Sequence, residues 1–173
     1  MTSLTGEPIA AVTAGTPVGP LSLLAQGETL VASGFTADPA ELYGRLRASL
    51  QTGLAQAQPD DLPWLVKPVL AYFAGDLTAL DGIAVYQPGG PVRRRMWEEL
   101  RRVLPGTTVS YTELATRAGT PKAARAAGSA CASNLVAPMI PCHRVVRGDG
   151  SLGGYYYGLD RKEWLLRHEG ARP

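Results

Sequence analysis

Cys142 and His143 stand side by side in Ile140-Pro141-Cys142-His143-Arg144-Val145-Val146, and that pair is where the chain could do chemistry. A thiol acts as a nucleophile through its thiolate, which a nearby base or positive charge favours, from a free pKa of about 8.5. Neighbouring side chains on a strand point to opposite faces. His143 therefore reaches Cys142 only through a turn or a bridging water. The same pair would also suit a buried structural cysteine beside a surface histidine, because free cysteine is among the most buried residues. The surroundings must decide between the two.

The 173 residues suffice for one domain or two small ones, and 45% of them are apolar, enough for a real core. No apolar run approaches the length of a membrane span, and the N-terminus lacks the pattern of a signal peptide. Two cysteines, one of them in a reactive setting, fit a reducing compartment better than a disulfide framework. A cytoplasmic protein is expected, nucleoid-associated if prokaryotic. Only His143 and His168 are available as imidazole ligands, so no metal site is expected. The net charge of +2 conceals an asymmetry. Residues 1–90 carry three Lys/Arg against eight Asp/Glu, and residues 91–173 carry fourteen against seven. A polyanionic partner belongs on the C-terminal half.

Several elements must position the cysteine. Pro8–Thr13, Leu21–Gln26 and Leu30–Phe35 are short apolar runs between Gly and Pro signals, and they predict a small antiparallel sheet. Pro39–Leu50 predicts a helix capped by Asp38. Gln56–Pro63 reads as a loop, and the helical stretch ending at Gly75 is expected to break or begin at Pro68. Asp81–Tyr86 is a candidate last strand. Gln87-Pro88-Gly89-Gly90-Pro91 is the clearest linker. It separates an N-terminal scaffold domain, residues 1–86, from a C-terminal domain, residues 92–173, that carries the chemistry.

In that second domain Val92, Met96, Trp97, Leu100, Val103 and Leu104 recur at helical spacing. Ser110 and Glu113 have capping-box spacing, with Val109 and Leu114 placed for a hydrophobic staple. Gly119 closes that short helix, and Thr120-Pro121 is expected to open the next. Two helices across a Gly-containing turn make a helix-turn-helix arrangement or a plain helical hairpin. The second helix is built from Ala123, Ala124, Ala126, Ala127, Gly128, Ser129 and Ala130, with Arg125 its one long side chain. Such a face has little reach for reading major-groove base edges. It suits a helix pressed into the minor groove with one side chain inserted into the base stack. Close packing within a core is the competing explanation of the alanines.

Pro141-Cys142-His143-Arg144-Val145 resembles the active-site signature of the O6-alkylguanine-DNA alkyltransferases, also called methylated-DNA–protein-cysteine methyltransferases. Further similar blocks follow in order: Ser110-Tyr111 through Leu114-Ala115, Ala124-Arg125-Ala126 with Gly128, Asn134, and Trp164-Leu165-Leu166 with Glu169-Gly170. The resemblance is dense from Val92 to Gly170 and thinner from Pro17 to Tyr86. It implies an α+β chain: an α/β, ribonuclease H-like N-terminal domain followed by a mostly helical, winged helix-turn-helix-like C-terminal domain.

The implied activity is irreversible, single-turnover transfer of an alkyl group, above all methyl, from O6-alkylguanine (O4-alkylthymine being a second substrate) in duplex DNA to Cys142, with no cofactor. His143, Glu169 and Asn134 are the implied catalytic companions of Cys142. Arg125, Tyr111, Ala124, Ala126, Gly128 and Ser133 are the implied DNA contacts, and Val145, Tyr155, Tyr156 and Cys131 the base pocket. The implied partner is double-stranded DNA, approached by a monomer or by molecules clustered along it. Two departures stand out. Leu135 follows Asn134 where the family has proline, and Tyr156-Tyr157 follow the pocket tyrosine where the family has small residues. A non-catalytic DNA-binding module and a thiol hydrolase using Cys142, His143 and Glu169 are the alternatives.

Overall fold

The structure is a computed structural model describing residues 4–173. It divides into two compact units, one ending at Gln87 and the other running from Pro88 to Pro173.

The first unit is built on a four-stranded sheet of β1 (Ile9–Ala14), β2 (Leu21–Gln26), β3 (Thr29–Gly34) and β4 (Leu54–Gln56), in the order β3-β2-β1-β4. The first three strands pair antiparallel, as their apolar runs and turns predict. β4 pairs parallel to β1, Ile9 against Leu54 and Ala11 against Gln56, so the sheet is mixed rather than antiparallel. All three β4 residues are exposed, and an exposed edge strand carries no apolar alternation from which to read it. The stretch from Asp81 to Tyr86 makes only an isolated bridge, Val85 to Leu30.

Two helices complete this unit. α1 (Pro39–Arg45) starts where Asp38 accepts the Ala40 N–H at 3.0 Å. It ends earlier than the pattern suggests, and Ala48–Leu50 form a separate 3-10 turn. α2 (Pro63–Phe73) runs through Pro68 without ending there. An internal proline removes one i→i−4 bond, and burial of Leu65, Val66, Val69 and Tyr72 offsets that loss.

The second unit contains α3 (Pro91–Arg102), α4 (Tyr111–Arg117), α5 (Ala124–Ala132) and α6 (Leu159–His168), with a two-stranded parallel ribbon of β5 (Val109–Ser110) and β6 (Val145–Val146). α3 buries Met96, Trp97 and Leu100. The Trp97 indole N–H donates to the Ala130 carbonyl at 2.9 Å, and the Arg95 Nε donates to the Ala118 carbonyl at 3.0 Å. These two bonds fix α3 against the ends of both α5 and α4.

The capping box of α4 is present in both directions, Glu113 N–H to Ser110 Oγ at 3.0 Å and Ser110 N–H to the Glu113 carboxylate at 2.8 Å. Tyr111 is thereby the first residue of that helix. Thr120 does not cap α5. Its N–H and hydroxyl both donate to the Ala115 carbonyl, so it closes α4, and α5 begins three residues beyond Pro121, at Ala124. A threonine after a Gly-containing turn has two helix ends to serve, and here the orphan carbonyl of α4 takes it.

Candidate active site

Cys142 opens a single 3-10 turn, Cys142–Arg144, immediately before β6. Its N–H donates to Ile140 O at 2.8 Å, and the Arg144 N–H donates to Pro141 O at 3.0 Å. The turn replaces strand alternation, so three consecutive residues, Cys142, His143 and Arg144, are all buried. Burial pushes the Cys142 thiol up, while a hydrogen bond with the Asn134 side chain and the charge of Lys162 act the other way.

Asn134 is 3% exposed and holds the approach to that turn. Its Nδ2 donates to Ile140 O at 2.8 Å and its Oδ1 accepts the Val136 N–H at 3.0 Å. One amide thus fixes both ends of the Leu135–Ile140 loop without a proline at position 135. Its own N–H donates to the Cys131 carbonyl at 3.3 Å, which ties the loop to α5.

His143 is 1% exposed, and its Nε2–H donates to Glu169 Oε1 at 2.9 Å. That assignment follows from the acceptor, since a carboxylate has no proton to give. Nδ1 is buried and has no hydrogen-bond partner among the described residues. Burial lowers the His143 pKa, against the pull of Glu169. The ring is therefore neutral at pH 7, with its lone pair on Nδ1.

Glu169 caps the C-terminal end of α6. Arg144 grips it with two donors, Nε to Oε2 at 2.9 Å and Nη2 to Oε1 at 2.8 Å, and its Nη1 donates to Val103 O at 2.5 Å just past α3. Burial works to raise the Glu169 pKa, but His143 and Arg144 prevail and hold it well below the carboxylate range. Gly106 completes the seat: at φ +83°, a Cβ there would stand 3.0 Å from the Glu169 carbonyl oxygen.

The other residues expected at the site fall into groups. Val145 is fully buried on β6. Tyr111 is half-buried and its hydroxyl bonds the Gly154 backbone. Gly153 lies so close that a Cβ would sit 2.8 Å from that hydroxyl. Burial raises the Tyr111 pKa, and the two thiols, Cys131 and Cys142, are near enough to add to the effect. Cys131, on α5, has its own thiol pushed far up by burial. Tyr155 is half-buried against Tyr157, with ring centroids 5.9 Å apart. Tyr156 is 63% exposed, and it is Tyr157 whose hydroxyl is buried.

On α5 the accessible residues Arg125, Gly128, Ser129 and Ala132 follow helical spacing on one face, while Ala127 and Ala130 are buried. Ala124 and Ala126 are half-buried beside them. The Ser133 hydroxyl donates to Ser129 O at 2.8 Å, back into its own helix. Close packing thus accounts for the alanines on one side of the helix, and the other side is accessible and carries Arg125. Arg144 and Lys162 went unassigned in the sequence. For Lys162 a signal existed: it lies at helical spacing with Leu165, Leu166 and Glu169, all buried.

Comparison with known proteins agrees with this geometry. The sequence profile of the 6-O-methylguanine DNA methyltransferase DNA-binding domain matches residues 91–171. The methylated-DNA–protein-cysteine methyltransferase of Salmonella typhimurium is 40% identical over 130 residues, 75% of this chain and 70% of that protein. The chain belongs to the methylated-DNA–protein-cysteine methyltransferase family. The human methylated-DNA–protein-cysteine methyltransferase is 50% identical over 88 residues, 51% of this chain and 42% of that protein. The crystal structure of Mycobacterium tuberculosis OGT in complex with DNA superposes with a TM-score of 0.80 at 33% identity, covering 94% of this chain and 93% of that one. As a member of this methyltransferase family, the chain is a DNA-binding enzyme of direct alkylation repair. No helix among its described residues is long and apolar enough to cross a membrane.

The Glu169 network has a measurable pH signature. A carboxyl with a depressed folded-state pKa contributes stability that is present above its unfolded value, about 4.3, and is lost as pH falls through the folded value. At pH 7, Glu169→Gln should cost about 3–5 kcal/mol, because it leaves Arg144 buried without its counter-charge. The gap between wild type and variant should narrow as urea unfolding is repeated from pH 6 down to pH 3. Parallel stability curves would contradict the assigned ionisation.

Proposed function

We propose that this protein removes the alkyl group from O6-alkylguanine in duplex DNA and keeps it on Cys142. The observation that carries the proposal is the buried Cys142–His143 turn, in which burial keeps His143 neutral and its Nε2–H bond to Glu169 leaves Nδ1 open. The thiol proton passes to Nδ1 through a bridging water. The sulfur then forms a bond to the alkyl carbon as the carbon–O6 bond breaks, and that electron pair stays on O6. The guanine takes up a proton in turn, returned by the imidazolium through solvent. The thioether product has no second acceptor in the chain, so one molecule repairs one lesion.

O6 lies inside the base stack, and the nucleotide must leave it to reach Cys142. Arg125 stands exposed on α5 among small residues that let the helix backbone approach the minor groove. It fills the gap in the stack. Tyr111, at the start of α4, contacts the flipped base and turns its 3′ phosphate, while Val145 and Tyr155 line the pocket. The basic C-terminal half supplies phosphate contacts without sequence preference. A reducing compartment containing DNA, such as the cytoplasm, suits a nucleophile that must remain a thiol.

Cys142→Ser should abolish transfer from O6-methylguanine duplex, read by intact mass. Binding of the same duplex, measured by fluorescence anisotropy, should stay near the wild-type level. Parallel loss of binding and transfer would make Cys142 a structural residue instead.

Arg125→Ala should separate duplex from free base. Flipping costs a few kcal/mol and 1.4 kcal/mol corresponds to about tenfold in rate, so transfer from duplex should slow by roughly ten- to a thousandfold. Reaction with the free base O6-benzylguanine should change little. Equal slowing on both substrates would remove Arg125 from the stack.

A further inference from the structure

Near its start α3 carries three successive arginines, Arg93, Arg94 and Arg95, all exposed, and its first turn holds no acidic residue. The N-terminal end of a helix is its positive end and favours anionic side chains. Folding therefore gains nothing from these charges where they stand. Arg95 has a structural use, since its Nε donates to the Ala118 carbonyl at 3.0 Å. Arg93 has none of that kind. No carboxylate among the described residues pairs with it. Its Nη2 donates to Ser129 Oγ at 3.4 Å, longer than the usual N–H···O range.

Arg93 is nevertheless held in place. It precedes Trp97 by four residues, so the two share one face of α3. Trp97 binds the Ala130 carbonyl, and Arg93 reaches the residue before it on α5, Ser129. Gly89 lies against both side chains: a Cβ there would stand 2.8 Å from the Trp97 ring and 3.5 Å from Arg93 Cδ. The stem of Arg93 is thus packed, and its guanidinium is left in an open groove of about 410 Å³ lined by Gly90, Pro91, Val92, Arg93, Ala126 and Ser129. Arg125 stands four residues before Ser129 on the accessible face of α5. The head of Arg93 therefore lies one helical turn along α5 from the root of Arg125, roughly 6 Å.

Resting on the duplex contact proposed above, we infer that this groove between α3 and α5 seats a backbone phosphate of the DNA beside the lesion, with Arg93 as its ligand. A guanidinium has five N–H donors in a planar fork that suits phosphate oxygens, and one contact to Ser129 leaves the others to give. Gly90 and Ala126 are small enough to let the strand enter. The phosphate brings to the cationic start of α3 the negative charge it lacks. Because the stem is already packed, little side-chain freedom is lost when the phosphate arrives. Such a contact carries no sequence information and fixes the register of α5 on the duplex.

The test is the salt dependence of binding to an unmodified, fluorescein-labelled duplex, on which no transfer occurs. Wild type is compared with Arg93→Ala, Arg93→Lys and Arg102→Ala. Each phosphate contact contributes about 0.9 to the slope of log K against log[salt]. Arg93→Ala should flatten the slope by that amount and weaken binding roughly five- to tenfold at 0.1 M salt, whereas Arg93→Lys should keep the slope. Arg102, paired with Glu99 near the far end of α3, is the control, and its removal should leave the slope unchanged. Reaction of Arg93→Ala with the free base O6-benzylguanine should match wild type. An unchanged slope in Arg93→Ala would overturn the inference. Equal flattening by Arg102→Ala would overturn it too, replacing a seat by a diffuse charge effect. Slowed reaction with the free base would do the same, since Arg93 would then be supporting the fold of the active site. A wild-type protein that binds no duplex would instead refute the duplex contact itself, whatever Arg93 does.

Discussion

The shared carboxylate of Glu169 is the interaction on which the active unit depends. It accepts one N–H from His143 and two from Arg144 with its side chain shielded from water. Burying an ion costs several kcal/mol unless partners and hydrogen bonds compensate. Here they do, and the compensation has a chemical purpose. Burial of the ring, helped by the Arg144 charge, outweighs the pull of Glu169 on the imidazole proton, so the carboxylate orients a neutral ring. A carboxylate with no such counter-charge would favour imidazolium, which has no lone pair to receive a thiol proton.

The same network joins pieces of chain far apart in sequence. Arg144 reaches the Val103 carbonyl after α3, and Glu169 belongs to the end of α6. Across the nucleophile turn, Asn134 ties the Leu135–Ile140 loop to α5, the helix that bears Arg125. Trp97 in turn binds α5 to α3 through the Ala130 carbonyl. α5 and the Cys142 thiol are therefore set by overlapping contacts, as a site needing fixed geometry requires. The Cys142 thiol is resting rather than ionised, since burial outweighs the influences that favour the anion.

What could be read from the sequence was whatever lay in consecutive residues. The Ser110–Glu113 capping box, the Met96, Trp97 and Leu100 stripe of α3 and the Asp38 cap are local rules, and each appears in the structure, while Leu104, expected on the same stripe, lies beyond the helix and is exposed. Pro141-Cys142-His143-Arg144-Val145 is contiguous too, and it pointed to the site. Long-range pairing was illegible. β4 has three exposed residues and exists only through its parallel partner β1. Thr120 follows one helix and precedes another, and sequence alone does not say which end it serves. Arg144 and Lys162 have partners distant in sequence, Glu169 and three loop carbonyls, which only the fold brings to them.

The central claim is that burial keeps His143 neutral while Glu169 orients it with its lone pair on Nδ1. Imidazole ¹⁵N shifts of selectively labelled protein, recorded between pH 5 and 8, report protonation and tautomer together. The account predicts a neutral ring at pH 7 carrying its proton on Nε2. It also predicts a titration midpoint below the ordinary histidine value of about 6.5. An imidazolium at pH 7, or a neutral ring protonated on Nδ1, would contradict it.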